Sequence, residues 1–184
     1  MDPIETLRNE HGLIRRFVDL LSVAVSRLEV ENPPPRAFFD DGIEFVRGFS
    51  DGFHHKKEEL VMFRQLAQKK NGAIDGQIEA LRYQHDQGRG FIAAIAGALD
   101  GYAEGNPSDT AVVRENAAAF ASLLKHHIHI EDHIFFPMSR EAMTVEELEA
   151  LGEKFEKVQE VHGADTFERY HKLIVNLDTM LAEA

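Results

Sequence analysis

Three stretches of this chain set apolar side chains at alternating spacings of three and four, a further one carries them more sparsely, and each of the four stripes is interrupted by one histidine. The first reads Ile4, Leu7, His11, Ile14, Val18, Leu21, Val25 and Leu28, the pattern of one face of an α-helix. The second runs through Phe38, Phe45, Val46, His54 and Val61, the third through Ile78, Leu81, His85, Gly88, Ile92, Ile95, Leu99 and Tyr102. Ala117, Phe120, Leu124, His127, Glu131, Ile134 and Met138 form the fourth. A polar residue at the same place in every stripe restricts the chain to a fold in which four helices bring those residues to one level.

The breaks between stripes agree. Asn32-Pro33-Pro34-Pro35 stops the first helix, and proline suits the first turn of the second. Gly42, Gly48 and Gly52 weaken the second helix. Asn71-Gly72 with Asp75-Gly76, and then Gly105-Asn106-Pro107-Ser108, mark the next two connections. Pro137 is expected to end the fourth helix. Thr144 with Glu147 three residues on is a capping-box signature for a fifth segment through Leu148, Leu151, Phe155, Val158 and His162. Gly163 separates it from a last stripe of Phe167, Tyr170, Ile174, Leu177 and Leu181. Alternating strand patterns and hairpin signals are absent. The expected class is all-α: an antiparallel up-down four-helix bundle over residues 1–140, with an additional C-terminal helix or two over residues 141–184 packed on the same domain.

The histidines repeat as well as the stripes. His54 follows His11 by 43 residues and His127 follows His85 by 42, and each second member opens an HxxxE, His54 to Glu58 and His127 to Glu131. Residues four apart share a helix face. Counted from the turns, His11 lies about 17 residues before the end of its helix and His54 about 18 after the start of the next, and the same count holds for His85 and His127. Four histidines therefore meet in one layer. Ten histidines scattered at random would put about three on core stripes if stripes take roughly two positions in seven, so the number alone decides nothing. One per helix, at equal height, with two matched HxxxE pairs, points to a metal centre in the bundle.

The 184 residues contain no cysteine, which excludes disulfides, thiolate zinc, iron-sulfur clusters and a cysteine nucleophile. Imidazole and carboxylate suit non-thiolate iron or manganese. Two buried glutamates would be costly beside a single ion, since an unpaired buried carboxylate costs several kcal/mol or more, so two metals bridged by Glu58 and Glu131 are expected. With 20 basic and 32 acidic side chains the net charge is -12, which disfavours nucleic acid and anionic membranes. The N-terminus lacks a signal-peptide pattern and no stretch of about 18 apolar residues occurs, so a cytoplasmic protein is expected.

HHKKEELVMF from His54 to Phe63 and HIHIEDHIFFPM from His127 to Met138, with the lone His11 and His85, resemble the hemerythrin-like (HHE cation-binding) family. The similarity runs to about Arg140. It implies a non-haem, oxo- or hydroxo-bridged di-iron centre that binds or reacts with dioxygen, nitric oxide or peroxide. His11 and His54 would serve one iron, His85 and His127 the other, with Glu58 and Glu131 bridging. The family's oxygen carriers have a further histidine on the third helix, four residues from its neighbour; here Leu81 and Arg89 stand at those places, which argues against simple oxygen carriage.

A missing donor means an open position or a substitute. His162 is the first candidate, with Tyr170 and His171 behind it. His55, His126, His129 and His133 sit about 100° or 200° around their helices from the proposed ligands and are expected to face solvent or an outer layer. Glu59 and Asp132, each one residue past a glutamate, could orient a ligand, and Asp132 is the rival to Glu131 as a bridge. Oxidase or peroxidase chemistry is one expectation of function. An iron- or redox-sensing module without turnover, using the C-terminal helices, is the other. A ferritin-like site would need ExxH on two helices, a spacing that occurs only at Glu168 to His171.

Overall fold

The computed structural model describes residues 2–28, 32–67 and 69–183, so Met1 and Ala184, the outer ends of the two expected units, lie outside the described residues. Four long helical runs build the bundle. The first is α1 (Pro3–Arg27). The second comprises α2 (Arg36–Phe45), two π-helical stretches, π1 (Val46–His55) and π2 (Glu58–Met62), and α3 (Phe63–Leu66). The third is α4 (Asp75–Ala103). The fourth joins α5 (Pro107–Ile130), a further π stretch, π3 (Glu131–Phe135), and α6 (Phe136–Ala142). Two more helices, α7 (Val145–His162) and α8 (Thr166–Glu183), follow. No strand occurs among the described residues. No described helix is long and apolar enough to cross a membrane.

Local chemistry sets the ends. Asp2 and Asn106 each accept from two backbone N–H groups of the helix that follows, with proline at its first position, which satisfies donors that have no partner within the helix. Thr144 and Glu147 form the reciprocal capping box of α7, at 2.9 and 3.3 Å. Gly163, at φ 104°, stops α7 in a conformation open mainly to glycine.

Pro137 does not end the fourth run, which continues to Ala142. In π geometry the N–H of residue 137 would seek the carbonyl five residues back, that of Asp132. Proline offers no such N–H, and the Arg8 guanidinium donates to that oxygen instead, at 2.9 Å. The helix is thereby spared an orphaned acceptor.

α1 packs on α5 and π1, and α4 packs on α5 and α2, which closes the four runs into an up-down ring. The apolar interior is divided in two. One core gathers Leu13, Phe17, Phe45, Phe53, Ile92, Phe120 and Leu124, together with Tyr170, Ile174 and Leu177 of α8. The other gathers Ile4, Leu7, Met62, Phe63, Leu81, Phe135 and Phe136 with Leu151 and Phe155 of α7. Between them lies a buried polar layer of Glu10, His11, His54, His55, Lys57, Glu58, His85, His127 and Glu131.

The π stretches shift the stripes. Ile134, placed on the apolar face by α-helical spacing, is 48% exposed, and Phe135 beside it is fully buried. Met62 is likewise buried where Val61 was expected, Val61 being only partly covered. Each glutamate of an HxxxE opens one of these wide turns, so the repeat extends from sequence to backbone. Phe167, expected inside the last stripe, is also exposed.

Candidate metal centre

The six residues singled out by the repeat are all buried, and they converge in the polar layer. Metal-binding atoms of His11, His54, Glu58 and Glu131 lie within 4.8 Å of one another, and so do those of His55, Glu58, His85 and His127. Glu58 belongs to both groups. A Glu131 oxygen lies 3.2 Å from the Nε2 atoms of both His11 and His127, and the Glu58 oxygens lie 3.7 and 3.6 Å from those of His54 and His85. The Nε2 atoms of His85 and His127 are 3.1 Å apart.

Each Nδ1 faces outward to a side-chain oxygen. His11 meets Asp132 at 2.9 Å and His85 meets Glu59 at 2.7 Å; His54 meets Glu10 at 2.9 Å and His127 meets Gln84 at 2.8 Å. The pattern obeys the repeat. The residue after each glutamate holds the lone histidine of the other hairpin, and the residue before each lone histidine holds the HxxxE histidine of its own hairpin. Phe136 stacks on His11 and Phe63 on His85, with centroids 5.4 and 6.1 Å apart, again five residues past each glutamate. Such contacts fix ring orientation and tautomer, leaving Nε2 as the inward donor.

A further ring of cations holds those carboxylates. Asp132 pairs with Arg15, Glu59 with Arg89 at 2.7 Å, and Glu10 with Lys57. Lys57 is itself buried, with Nζ 3.4 Å over the Phe53 ring. The halves differ here, because Gln84 stands where the first hairpin has Glu10, and Ile130 where it has Lys57.

The inner atoms are poorly satisfied. His54 Nε2 and both Glu58 oxygens are buried with no nitrogen in hydrogen-bonding range, and the only close contacts of Glu131, at 3.2 Å to His11 and His127, do not form a well-aligned hydrogen bond. Buried polar atoms normally have one. The charge states follow the same geometry. Burial, with Glu131 opposite, raises Glu58 well above the usual carboxylate range. For Glu131 the cost of burial is overcome by His127 and His11, which lower it. Burial disfavours a charged His11, yet Asp132 and Glu131 overcome this and raise its pKa, whereas burial and the neighbouring His11 keep His54 neutral. Nitrogen and oxygen donors aimed at a common dry space fit the binding of metal cations.

Other sequence expectations separate here. Glu131 lies inside the cluster, and Asp132 stands behind His11. His162 bonds the Val158 carbonyl at 3.0 Å and packs on Phe53, Tyr170 packs on Phe45 and Phe49, and His171 meets Arg16. None of the three is in the cluster. His126, His129 and His133 are exposed. His55 corrects the expectation: it is 7% exposed and stacks on His85, centroids 3.7 Å apart. The 100° step that placed it outside the site applies to an α-helix, whereas His54 and His55 end a π stretch, which turns less per residue and brings both inward. A run of glycines ahead of the pair, Gly48 and Gly52, was the available signal.

The sequence matches the family described as the hemerythrin HHE cation binding domain over residues 2–139. It is 26% identical over 152 residues to proteins of Mycobacterium tuberculosis and Mycobacterium bovis, both described only as uncharacterized. That match covers 83% of this chain and 59% of theirs, so the chain spans about three-fifths of the length of these relatives. No solved structure gives a significant match. The match over residues 2–139 takes in both hairpins and the whole buried layer, and the chain belongs to the hemerythrin HHE cation-binding family.

Proposed function

We propose that the chain holds two iron ions in this layer and binds or reacts with a small oxidant: dioxygen, nitric oxide or peroxide. The observation that carries this is the set of buried inner atoms that lack a well-formed hydrogen bond, above all both oxygens of Glu58, which lies in both donor groups. One metal would engage one oxygen of each carboxylate and leave the other two dehydrated, whereas two metals give every oxygen a partner. His11 and His54 would bind one ion, His85 and His127 the other, and Glu58 and Glu131 would bridge.

Bound iron would supply the electrons and the coordination position for the small ligand. The protein does the rest. Asp132, Glu10, Glu59 and Gln84 hold the imidazoles in the donor tautomer, and the anionic partners strengthen them as donors. The two apolar cores exclude bulk water on either side. A groove of about 480 Å³ lined by Thr6, Asn9, Glu10, Phe53, Gln159 and Phe167 borders the buried layer at Glu10, beside α7 and α8.

Metal analysis tests the proposal. Iron-loaded protein is expected to hold close to two iron per chain; zero or one would defeat the dinuclear site. A second reading, iron or redox sensing, draws on the seating of the Tyr170 hydroxyl of α8 over Gly48 in π1, which couples the tail to the stretch that carries His54 and His55. Rapid peroxide or nitric oxide consumption favours chemistry, and oxidation-dependent protection of α8 from proteolysis favours sensing.

A further inference from the structure

We infer that His55 is a fifth nitrogen ligand, bound to the same metal as His85 and His127, and that it takes the place of the third-helix histidine this chain lacks. The inference rests on the dinuclear reading above. It is carried by placement: one His55 ring nitrogen lies with donor atoms of Glu58, His85 and His127 inside a 4.8 Å group.

The outer contact of His55 is what separates a ligand from a packing histidine. Its Nδ1 meets Asp51 Oδ1 at 3.3 Å, and Asp51 is in turn gripped by Arg89 at 2.7 Å. Imidazole, carboxylate and cation thus stand in the order already found for His11, His54 and His85. Of the ten histidines, five present Nδ1 to an acid or amide side chain, and these are the five that line the buried layer. With Nδ1 engaged, Nε2 carries the free lone pair.

The second hairpin cannot do the same, because Ile128 occupies the position matching His55 and packs in the apolar core. One metal therefore has three nitrogens, from His55, His85 and His127, and the other has two, from His11 and His54. The nitrogen shortage that the sequence places beside His85 moves to the His11–His54 side.

The test uses His55→Ala in the iron-loaded chain, with the exposed His126→Gln as control. One of the two irons should leave to a chelator ~10–100-fold faster, at least the loss that an outer partner causes, and added imidazole should slow it again. Pulsed electron paramagnetic resonance of the half-reduced, rescued protein with ¹⁵N-imidazole should show the label coupled to iron. A stacking role alone would give no such coupling. Should His55→Ala not fold by circular dichroism, His55→Gln, which fills the space but offers no ring nitrogen, takes the same release test. Two irons held as tightly in the variants as in the wild type, or no ¹⁵N coupling, overturn the His55 assignment alone. A wild-type chain that never takes two irons overturns the dinuclear reading and this one with it.

Discussion

Replacing Glu58 by methionine should stabilise the metal-free protein and destabilise the loaded one. Without metal, the Glu58 oxygens find their nearest nitrogens at 3.7 and 3.6 Å, beyond hydrogen-bonding range, and the buried carboxyl has only the carboxylate of Glu131 opposite it. Such a group costs ~1–3 kcal/mol. Methionine is unbranched, of similar length, and adapts to irregular space, so removal of the carboxyl should return that amount. At ~2–4 °C per kcal/mol for a chain of this size, the gain is ~2–12 °C. Iron inverts the order: metal bound only by the folded state adds ~2.7 kcal/mol at a free concentration 100 times its Kd, and Glu58→Met forfeits this at a bridge shared by both ions. The assay is thermal unfolding by circular dichroism, in chelator and after iron loading. If the variant melts below the wild type in chelator, Glu58 already has partners in the empty layer and the argument for the metals fails.

Metal uptake should release protons and strengthen as pH rises. The raised Glu58 carboxyl and the raised His11 imidazole both carry a proton that a cation must displace, so affinity falls as pH is lowered through those values; uptake that changes no pH in weak buffer would refute this. Lys57→Ile should cost ~3–5 kcal/mol in the metal-free chain, because it leaves Glu10 buried without its cation. Adding Glu10→Gln should recover most of that loss, since the second hairpin already runs with Gln84 and Ile130 at these places. Urea denaturation of the two variants checks it, and a cost that persists in the double variant would show that Lys57 acts otherwise.

The helix ends and the level at which the histidines meet were legible because they depend on local rules. Prolines and caps set the starts at Pro3, Arg36 and Pro107, and near-equal counts from the turn within each hairpin align His11 with His54 and His85 with His127. What escaped depends on register. His55 and Ile134 were misplaced for one reason, a 100° step applied across π turns, and Pro137 for another, the rule that proline ends a helix, which the wide turn ahead of it relaxes. Glu59 and Asp132 were expected to orient ligands, but which histidine each holds was not legible, because Asp132 reaches His11 across 121 residues and Glu59 reaches His85 across 26, and no local spacing announces such contacts. Glu10 and Gln84, each adjacent to a lone histidine, left a trace that becomes visible only when the two hairpins are superposed.

The π1 stretch has a bearing on how such a site changes over generations. The first hairpin has one residue more than the second between its lone histidine and its HxxxE, and among the described residues only the first has a ten-residue π stretch that runs into the motif. A wide turn absorbs an inserted residue without moving the helix ends. Loss or gain of a single codon between Val46 and Phe53 would then leave both bundle cores in place and rotate a different side chain into the buried layer. Donor number at this centre is thus open to insertion and deletion, a step that no series of point substitutions at the six original positions would reproduce.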